Sequence, residues 1–366
     1  MKFAKGGSLI RLVAFFVIAA VLTCTATFAA SGWQSFLPNE PDSDNAAGDL
    51  PDGEVDENTD GQDENKQEEI TPPPEIKHYL TGLTISADGA SSAPLAYVYG
   101  ANEPLYGISS AIMTVEIPTE NGVTRYISLF SKDIYLGKIG SILPTRDYIS
   151  SVAKAFGAIL IHRGNDDAFE YSGGEYSGVD ILESTGYSYT EYSEYHYTNS
   201  DLIEALITNT RTESLRPKSV KAPYIHTTSE VYGGVTAISV VIPYSEANAT
   251  HLVYSETERT YILHKGATAV KDLLNGRTCG YDNAFVLFAS ATTYETAVAT
   301  ETVLDTRSGG DGYYFTRGTM QKITWTTDGD GNLVFYNEAG GILTVNTGSS
   351  YIAFEKASKK DSVIYS

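Results

Sequence analysis

The stretch I-M-T-V-E-I-P-T-E-N-G-V-T-R-Y-I-S-L-F, Ile112 to Phe130, decides how this chain folds. Two runs of β-forming residues flank a loop carrying Pro118 and Asn121-Gly122, residue types that punctuate extended segments. With a period of two, Met113, Val115 and Ile117 point one way, and Ile112, Thr114 and Glu116 the other. In the second run Arg125 shares its face with Val123, Ile127 and Leu129. A guanidinium on a largely apolar face needs a carboxylate or several acceptors, because an unpaired buried charge is costly. Glu116 and Glu120 are the expected partners. A structural ion pair pinning two strands is the first expectation and a polar ligand site the second.

Outward from this pair, Leu95 to Tyr99 reads as a short strand and residues 100–107 as a loop. Thr145 to Phe156 places Ile149, Val152, Ala153 and Phe156 at helical spacing, with Pro144 before it and Gly157 after it. Ala158 to His162 then reads as a buried strand, so a helix feeds a strand as in an α/β unit. Tyr171 to Tyr197, rich in Tyr, Ser, Gly and Glu, reads as a long surface excursion. A helix is predicted over Asn199 to Asn209, with Ser200 as cap and Leu202, Ile203, Leu206 and Ile207 as its apolar face. From Val235 onward alternating runs and turns predict an antiparallel β region of seven to nine strands. The expected architecture is α+β: an N-terminal α/β domain with a mixed sheet over 76–225, an antiparallel all-β domain over 226–356, and a tail over 357–366.

The 366 residues suffice for two ordinary domains plus extra segments. A hydrophobic content of 42% supports real cores, while 26 Tyr and abundant Thr, Ser and Gly suit strands and turns. The net charge of −21 and the lack of a basic, aromatic-laced patch argue against nucleic-acid binding. Lys2, Lys5 and Arg11 precede the apolar run Leu12 to Ala30, which reads as an export signal. That run is long enough to span a bilayer uncleaved. Cleavage near Ala29 or Ser31 and lipidation at Cys24 compete with it, although Val21-Leu22-Thr23 is a poor setting for lipidation. The expected arrangement is a signal or membrane anchor over 1–31, with the bulk of the chain outside. Residues 32–75 read as a disordered acidic linker: Asn39 to Glu69 holds thirteen Asp or Glu against one Lys. The second cysteine, Cys279, has no neighbouring His in sequence and is expected to be a packed thiol rather than a nucleophile.

Several phrases in fixed order resemble the YerB-like lipoprotein family of Gram-positive bacteria, whose members carry N-terminal and C-terminal domains of unassigned function. Leu80-Thr81-Gly82-Leu83 resembles the family's P-L-T-G-L, and Pro94 to Val98 its R-P-V-A-V strand. Gly107 to Glu116 is similar to G-L-S-x-A-D-I-V-Y-E, and Glu120 to Tyr126 to E-G-G-I-T-R-F. Gly140 to Tyr148 stands in place of G-P-V-R-S-A-R-P-Y, and Ile161-His162-Arg163-Gly164 in place of V-H-x-G. The runs G-G-D-G-Y-Y-F, I-T-W and G-S-S-Y-I resemble the family's closing strands. Three polar family positions differ: Ile112 replaces an Asp, Leu143 an Arg, and Ala222-Pro223-Tyr224-Ile225 an A-P-H-N-like stretch. The resemblance therefore implies a divergent member, in which the family's chemistry is reduced.

Glu116, Arg125, Arg146, His162 and Asp166 form the expected ligand-binding corner at strand ends, where open α/β sheets place their sites. Two guanidiniums suit a carboxylate or phosphate in bidentate geometry. His162 is the candidate acid or base, although a His closing a buried strand more commonly satisfies a backbone carbonyl. Asp328-Gly329-Asp330-Gly331-Asn332 has calcium-loop spacing but lacks the Gly at the sixth position and the Glu at the twelfth, so a hairpin turn is expected. No metal or cofactor is expected. The expected role is a binding or scaffolding component of a cell envelope, with an envelope polymer or protein as partner. An enzyme acting on an anionic envelope substrate through His162, Arg125 and Arg146 is the alternative. A protein docking on an exposed patch of the Tyr-rich excursion is a third reading.

Overall fold

The computed structural model describes residues 75–164, 179–181, 186–191, 195–210, 220–295 and 300–366. The predicted anchor, the acidic linker apart from its last residue Glu75, and Asp166 lie outside the described residues, as does most of the Tyr-rich excursion.

The two runs of the opening stretch form an antiparallel pair, Met113–Pro118 and Thr124–Phe130, in register from Met113↔Leu129 to Pro118↔Thr124. Asn121 and Gly122 take φ values of 50° and 74° in the connecting turn, the left-handed conformation that Asn and Gly tolerate best. Leu95–Gly100 pairs antiparallel with Thr124–Phe130 on one side and parallel with Ile159–His162 on the other. The helix Asp147–Ala155 lies in the connection to that parallel strand, and its Ile149, Val152 and Ala153 are buried.

One mixed sheet then runs through both halves of the chain. Its order is Val235–Thr236, Thr319–Thr327, Gly310–Thr316, Asn283–Ala289, Ser350–Lys356, Met113–Pro118, Thr124–Phe130, Leu95–Gly100, Ile159–His162 and Val179–Asp180. The join is the parallel pairing of Met113–Pro118 with Ser350–Lys356. Residues before and after 225 therefore share a sheet rather than forming two separate bodies. Covering the edge of Met113–Pro118 removes a row of unpaired N–H and C=O groups from solvent.

The C-terminal half is strand-rich but not wholly antiparallel, because Asn283–Ala289 and Ser350–Lys356 pair in parallel. From Val235 onward the described residues hold fifteen strands, four of them only two residues long, more than the run count suggested. A second sheet, antiparallel throughout, stacks Thr268–Ala269, Thr260–Lys265, Ala249–Ser255, Ser239–Pro243 and Ile364–Tyr365. Residues 357–366 are thus not a tail: Ile364–Tyr365 closes this sheet, and Val363 is buried. The Tyr365 ring meets Tyr313 and Phe315 edge-on at 5.7 and 6.1 Å.

Alternation along the main sheet sends side chains into two cores. Tyr97, Tyr126, Val286 and Tyr351 face the second sheet, together with its Val240, Leu252 and Leu263. Val98, Val115, Ile127, Leu160 and Phe354 face the other way, onto Tyr148, Ile149 and Val152 of the helix. The helix Ser200–Thr210 buries Ile203 and Leu206 as expected, but its cap is Asn199, whose Oδ1 accepts the Leu202 N–H at 2.9 Å. Ser200 Oγ instead accepts the Leu136 N–H at 2.8 Å, tying the helix to the preceding loop.

Candidate functional site

The register Ile117↔Arg125 puts Arg125 on the helix-bearing face and Glu116, one residue earlier in its strand, on the opposite face. The predicted corner is therefore divided by the sheet itself. Arg125 Nη1 donates to the Pro144 carbonyl at 2.7 Å, and Nη2 lies 3.9 Å from Glu120 Oε1. Arg146, the residue preceding the helix Asp147–Ala155, donates through Nη2 to the other oxygen of Glu120. Of the two expected partners of Arg125, Glu120 is the one that meets it. The side chains of Arg146 and Arg125 are 1% and 8% exposed, and Glu120, at 30%, covers them from the solvent side. Beside them Tyr148 donates to the Pro118 carbonyl at 3.2 Å, and burial pushes its phenol up to about 12. This arrangement clamps the hairpin turn to the helix start.

His162, at the end of its strand, is 2% exposed, and its Nδ1 lies 3.0 Å from the Gly164 carbonyl, to which the ring N–H donates. Its side chain shares the helix-bearing face with Arg125, since the neighbouring Leu160 packs there and Ile161 on the other side. Arg125 and Arg146 are thus brought together through Glu120, His162 lies on the same face, and Glu116 is separated from them.

Glu116 is fully buried between the two sheets and bound from both. Its Oε1 accepts from Thr124 Oγ1 at 2.6 Å and Lys265 Nζ at 2.5 Å. Its Oε2 accepts from Thr250 Oγ1 at 2.7 Å and from the Tyr351 hydroxyl. Burial raises its pKa, but the Lys265 charge and these hydrogen bonds outweigh burial and hold it below the usual carboxylate value. Lys265 lies 149 positions downstream, and no local motif marks it. Nearby, Glu355 is 1% exposed, with Oε1 accepting its neighbour's N–H and Oε2 without a partner among the described residues, and burial pushes its pKa up to about 7.

Asp272 was equally invisible in the sequence: fully buried, it accepts the Gly107 and Ser109 N–H groups at 2.8 and 3.0 Å and so staples the two halves together. Asp328 to Asn332 forms the expected hairpin turn. Asp328 Oδ1 accepts the N–H groups of Asp330 and Asn332, and Lys221 Nζ sits 2.8 Å from its other oxygen. Cys279 is buried, and desolvation pushes its thiol up to about 12, which suits packing rather than attack. Tyr224, in the A-P-H-N-like stretch, is a core residue: its ring stacks 5.7 Å from both Phe285 and Phe335, and its hydroxyl donates to the Leu80 carbonyl. A cavity of about 240 Å³ opens on the other side of the sheet, between Leu95–Gly100 and the helix Ser200–Thr210, and Glu116, Arg125, Arg146 and His162 are not among the described residues that line it.

A two-part sheet protein whose buried charges bind its halves together belongs to a family defined by two linked segments. The N-terminal domain profile of the protein of unknown function DUF3048 matches residues 80–213, and the C-terminal domain profile matches residues 240–352. The chain belongs to this YerB-like family. It is 22% identical over 263 residues to the Bacillus subtilis (strain 168) protein described as "Putative lipoprotein YerB", across 68% of this chain and 78% of that protein. The crystal structure of the YerB protein from Bacillus subtilis matches with a TM-score of 0.67 at 20% identity, covering 80% of this chain and 100% of that one. That likeness shows the shared fold. Among the described residues, no helix is long and apolar enough to cross a membrane.

Proposed function

We propose that this protein is an extracytoplasmic, membrane-tethered component of the cell envelope that holds a ligand or partner rather than transforming one. The observation that carries the binding reading is the fate of the groups best suited to chemistry. Glu120 bridges Arg125 and Arg146, Arg125 also bonds the Pro144 carbonyl, and Glu116 accepts from four side chains. Carboxylates and guanidiniums committed in this way stabilise a framework and leave little capacity for a reacting atom. The location rests on the basic-then-apolar leader, the acidic spacer and the lipoprotein description of the Bacillus subtilis relative.

Fractionation of cells expressing the tagged full-length chain tests the location. The expected result is a membrane-bound protein degraded by protease added to intact protoplasts; a soluble, protease-protected protein would overturn it. Capture from detergent-solubilised envelope tests the role. Recovery of a stable envelope component is expected, whereas turnover of envelope fragments that is lost in His162→Ala would replace binding with catalysis.

A further inference from the structure

On the solvent side of the second sheet two histidines stand directly opposite each other. Ala249–Ser255 and Thr260–Lys265 pair antiparallel, with His251 in register with His264. Alternation fixes which way these rings point. Leu252, Tyr261 and Leu263 go into the core between the sheets, so His251 and His264 project from the other face, where both are half-buried. The inward-facing neighbours hold that register: Thr250 opposes Lys265, Lys265 Nζ donates to Thr250 Oγ1 at 2.9 Å, and both side chains bind the buried Glu116. A one-residue slip of either strand would take its Thr or Lys off Glu116 and turn its histidine inward. Val241 and Ala269 stand in register on the two sides of the pair, and Val253 and Ile262 form the next row of the same face.

Side chains directly opposed on one face of an antiparallel pair have Cβ atoms roughly 4.5–5.5 Å apart. Two imidazole nitrogens bound side by side to one ion, each at about 2.0–2.1 Å, stand about 3 Å from each other, a span that two rings rooted at that spacing reach by rotation about χ1 and χ2. We propose that His251 and His264 chelate one borderline divalent transition-metal ion on the outer face of the second sheet, Cu2+ most tightly. Imidazole nitrogen suits Cu2+, Ni2+ and Zn2+, the Irving–Williams order puts Cu2+ first among them, and the hard ions Ca2+ and Mg2+ need oxygen. Among the described residues no group of three His, Cys, Asp or Glu is placed to hold a metal, so the protein supplies two ligands and water the rest. An ion held in this way keeps open positions and exchanges, unlike the closed four-ligand sites that support a fold. Because the ladder beneath already fixes the two strands, little ordering is needed when the ion arrives. The site is independent of the binding reading above and of the cellular location.

Titration of the full-length chain with Cu2+, followed by electron paramagnetic resonance, tests it, with Mg2+ in excess to occupy the acidic run over 39–69. One tightly bound equivalent is expected, carrying the pulsed-resonance signature of two equatorial imidazoles. His251→Ala and His264→Ala should each weaken binding by about tenfold or more, because either one ends the chelate, and should reduce the signature to a single imidazole or none. Both side chains lie on the solvent face, so the metal-free variants should unfold at the wild-type urea midpoint, and a lost affinity then reports the contact. Ni2+ and Zn2+ should compete for the site more weakly than Cu2+ binds it, and Ca2+ should not compete. A wild-type spectrum showing one imidazole or none would overturn the proposal, and that spectrum is decisive even where a variant is unstable. Variants that bind Cu2+ like the wild type, or displacement of Cu2+ by comparable Ca2+, would overturn it too, since the ion would then sit on other residues such as the acidic run.

Discussion

Two buried glutamates show how partners decide what a carboxylate does. Glu116 has four donors, one of them charged, and is held ionised; Glu355 has one oxygen unpaired among the described residues and is pushed up to about 7. Glu116→Gln leaves the Lys265 ammonium beside a neutral amide between the sheets. A loss of about 3–5 kcal/mol in urea-unfolding free energy is expected, the range for breaking a buried pair. Because its folded pKa is lowered, the stability it supplies is present above its ordinary value of 4.5 and is lost as the pH falls below that value. Glu355 works with the opposite sign. Its folded pKa exceeds its unfolded one, so the folded state binds the extra proton, and stability falls as the pH rises from about 4.5 to about 7. Glu355→Gln should remove that slope and stabilise the protein at pH 8 by about 2–3 kcal/mol relative to wild type. An unchanged pH profile of unfolding in this variant would contradict the assignment. Alternation along Met113 to Pro118 already placed Glu116 away from Val115 and Ile117, but its partner Lys265 comes from a strand of the other sheet that only the tertiary fold brings near.

The strands, the helix Asp147–Ala155 and the turn at Asp328 could be read from period and punctuation because those signals are local. The pairing of faces across the Ile112 to Phe130 hairpin could not, since one residue more or less in the loop exchanges them. For that reason Glu116 and Arg125 looked like neighbours while Glu120, inside the loop, is the residue that meets both guanidiniums. This clamp predicts a stability role: Arg125→Ala should cost about 1–3 kcal/mol, the range for leaving buried acceptors unpaired, discounted because Glu120 is partly exposed. A variant as stable as wild type in urea would show that the clamp contributes nothing. The turn itself is held closely, with a Cβ on Gly122 falling 2.6 Å from that of Ser245 and φ at +74°. Gly122→Ala should therefore destabilise by about 1–2 kcal/mol, more than an ordinary exposed turn substitution, as read from the same unfolding curves.

At the scale of the molecule, the boundary suggested near residue 225 by the change of pattern is also where the two family profiles part, yet it is not a line along which the protein divides. Composition and periodicity report what each segment is made of; they carry no trace of a parallel contact between residues 113–116 and 350–353. Ser350–Lys356 is buried on both faces and pairs in parallel with Asn283–Ala289 on one side and Met113–Pro118 on the other. Removing everything after 225 would expose the backbone edge of Met113–Pro118 and the apolar faces of Tyr126 and Ile127 beside it, and would leave Glu116 without Thr250, Lys265 and Tyr351. A segment comprising residues 76–225 alone should accordingly be aggregated or unfolded, because an uncovered hydrophobic edge strand templates association and an unpaired buried carboxylate is expensive. The intact chain should melt in a single calorimetric transition, its calorimetric and van't Hoff enthalpies agreeing, since neither half keeps a complete core when the other opens. Two resolved transitions, or a 76–225 fragment with dispersed amide resonances, would mean that the shared sheet adds little and that each half folds on its own.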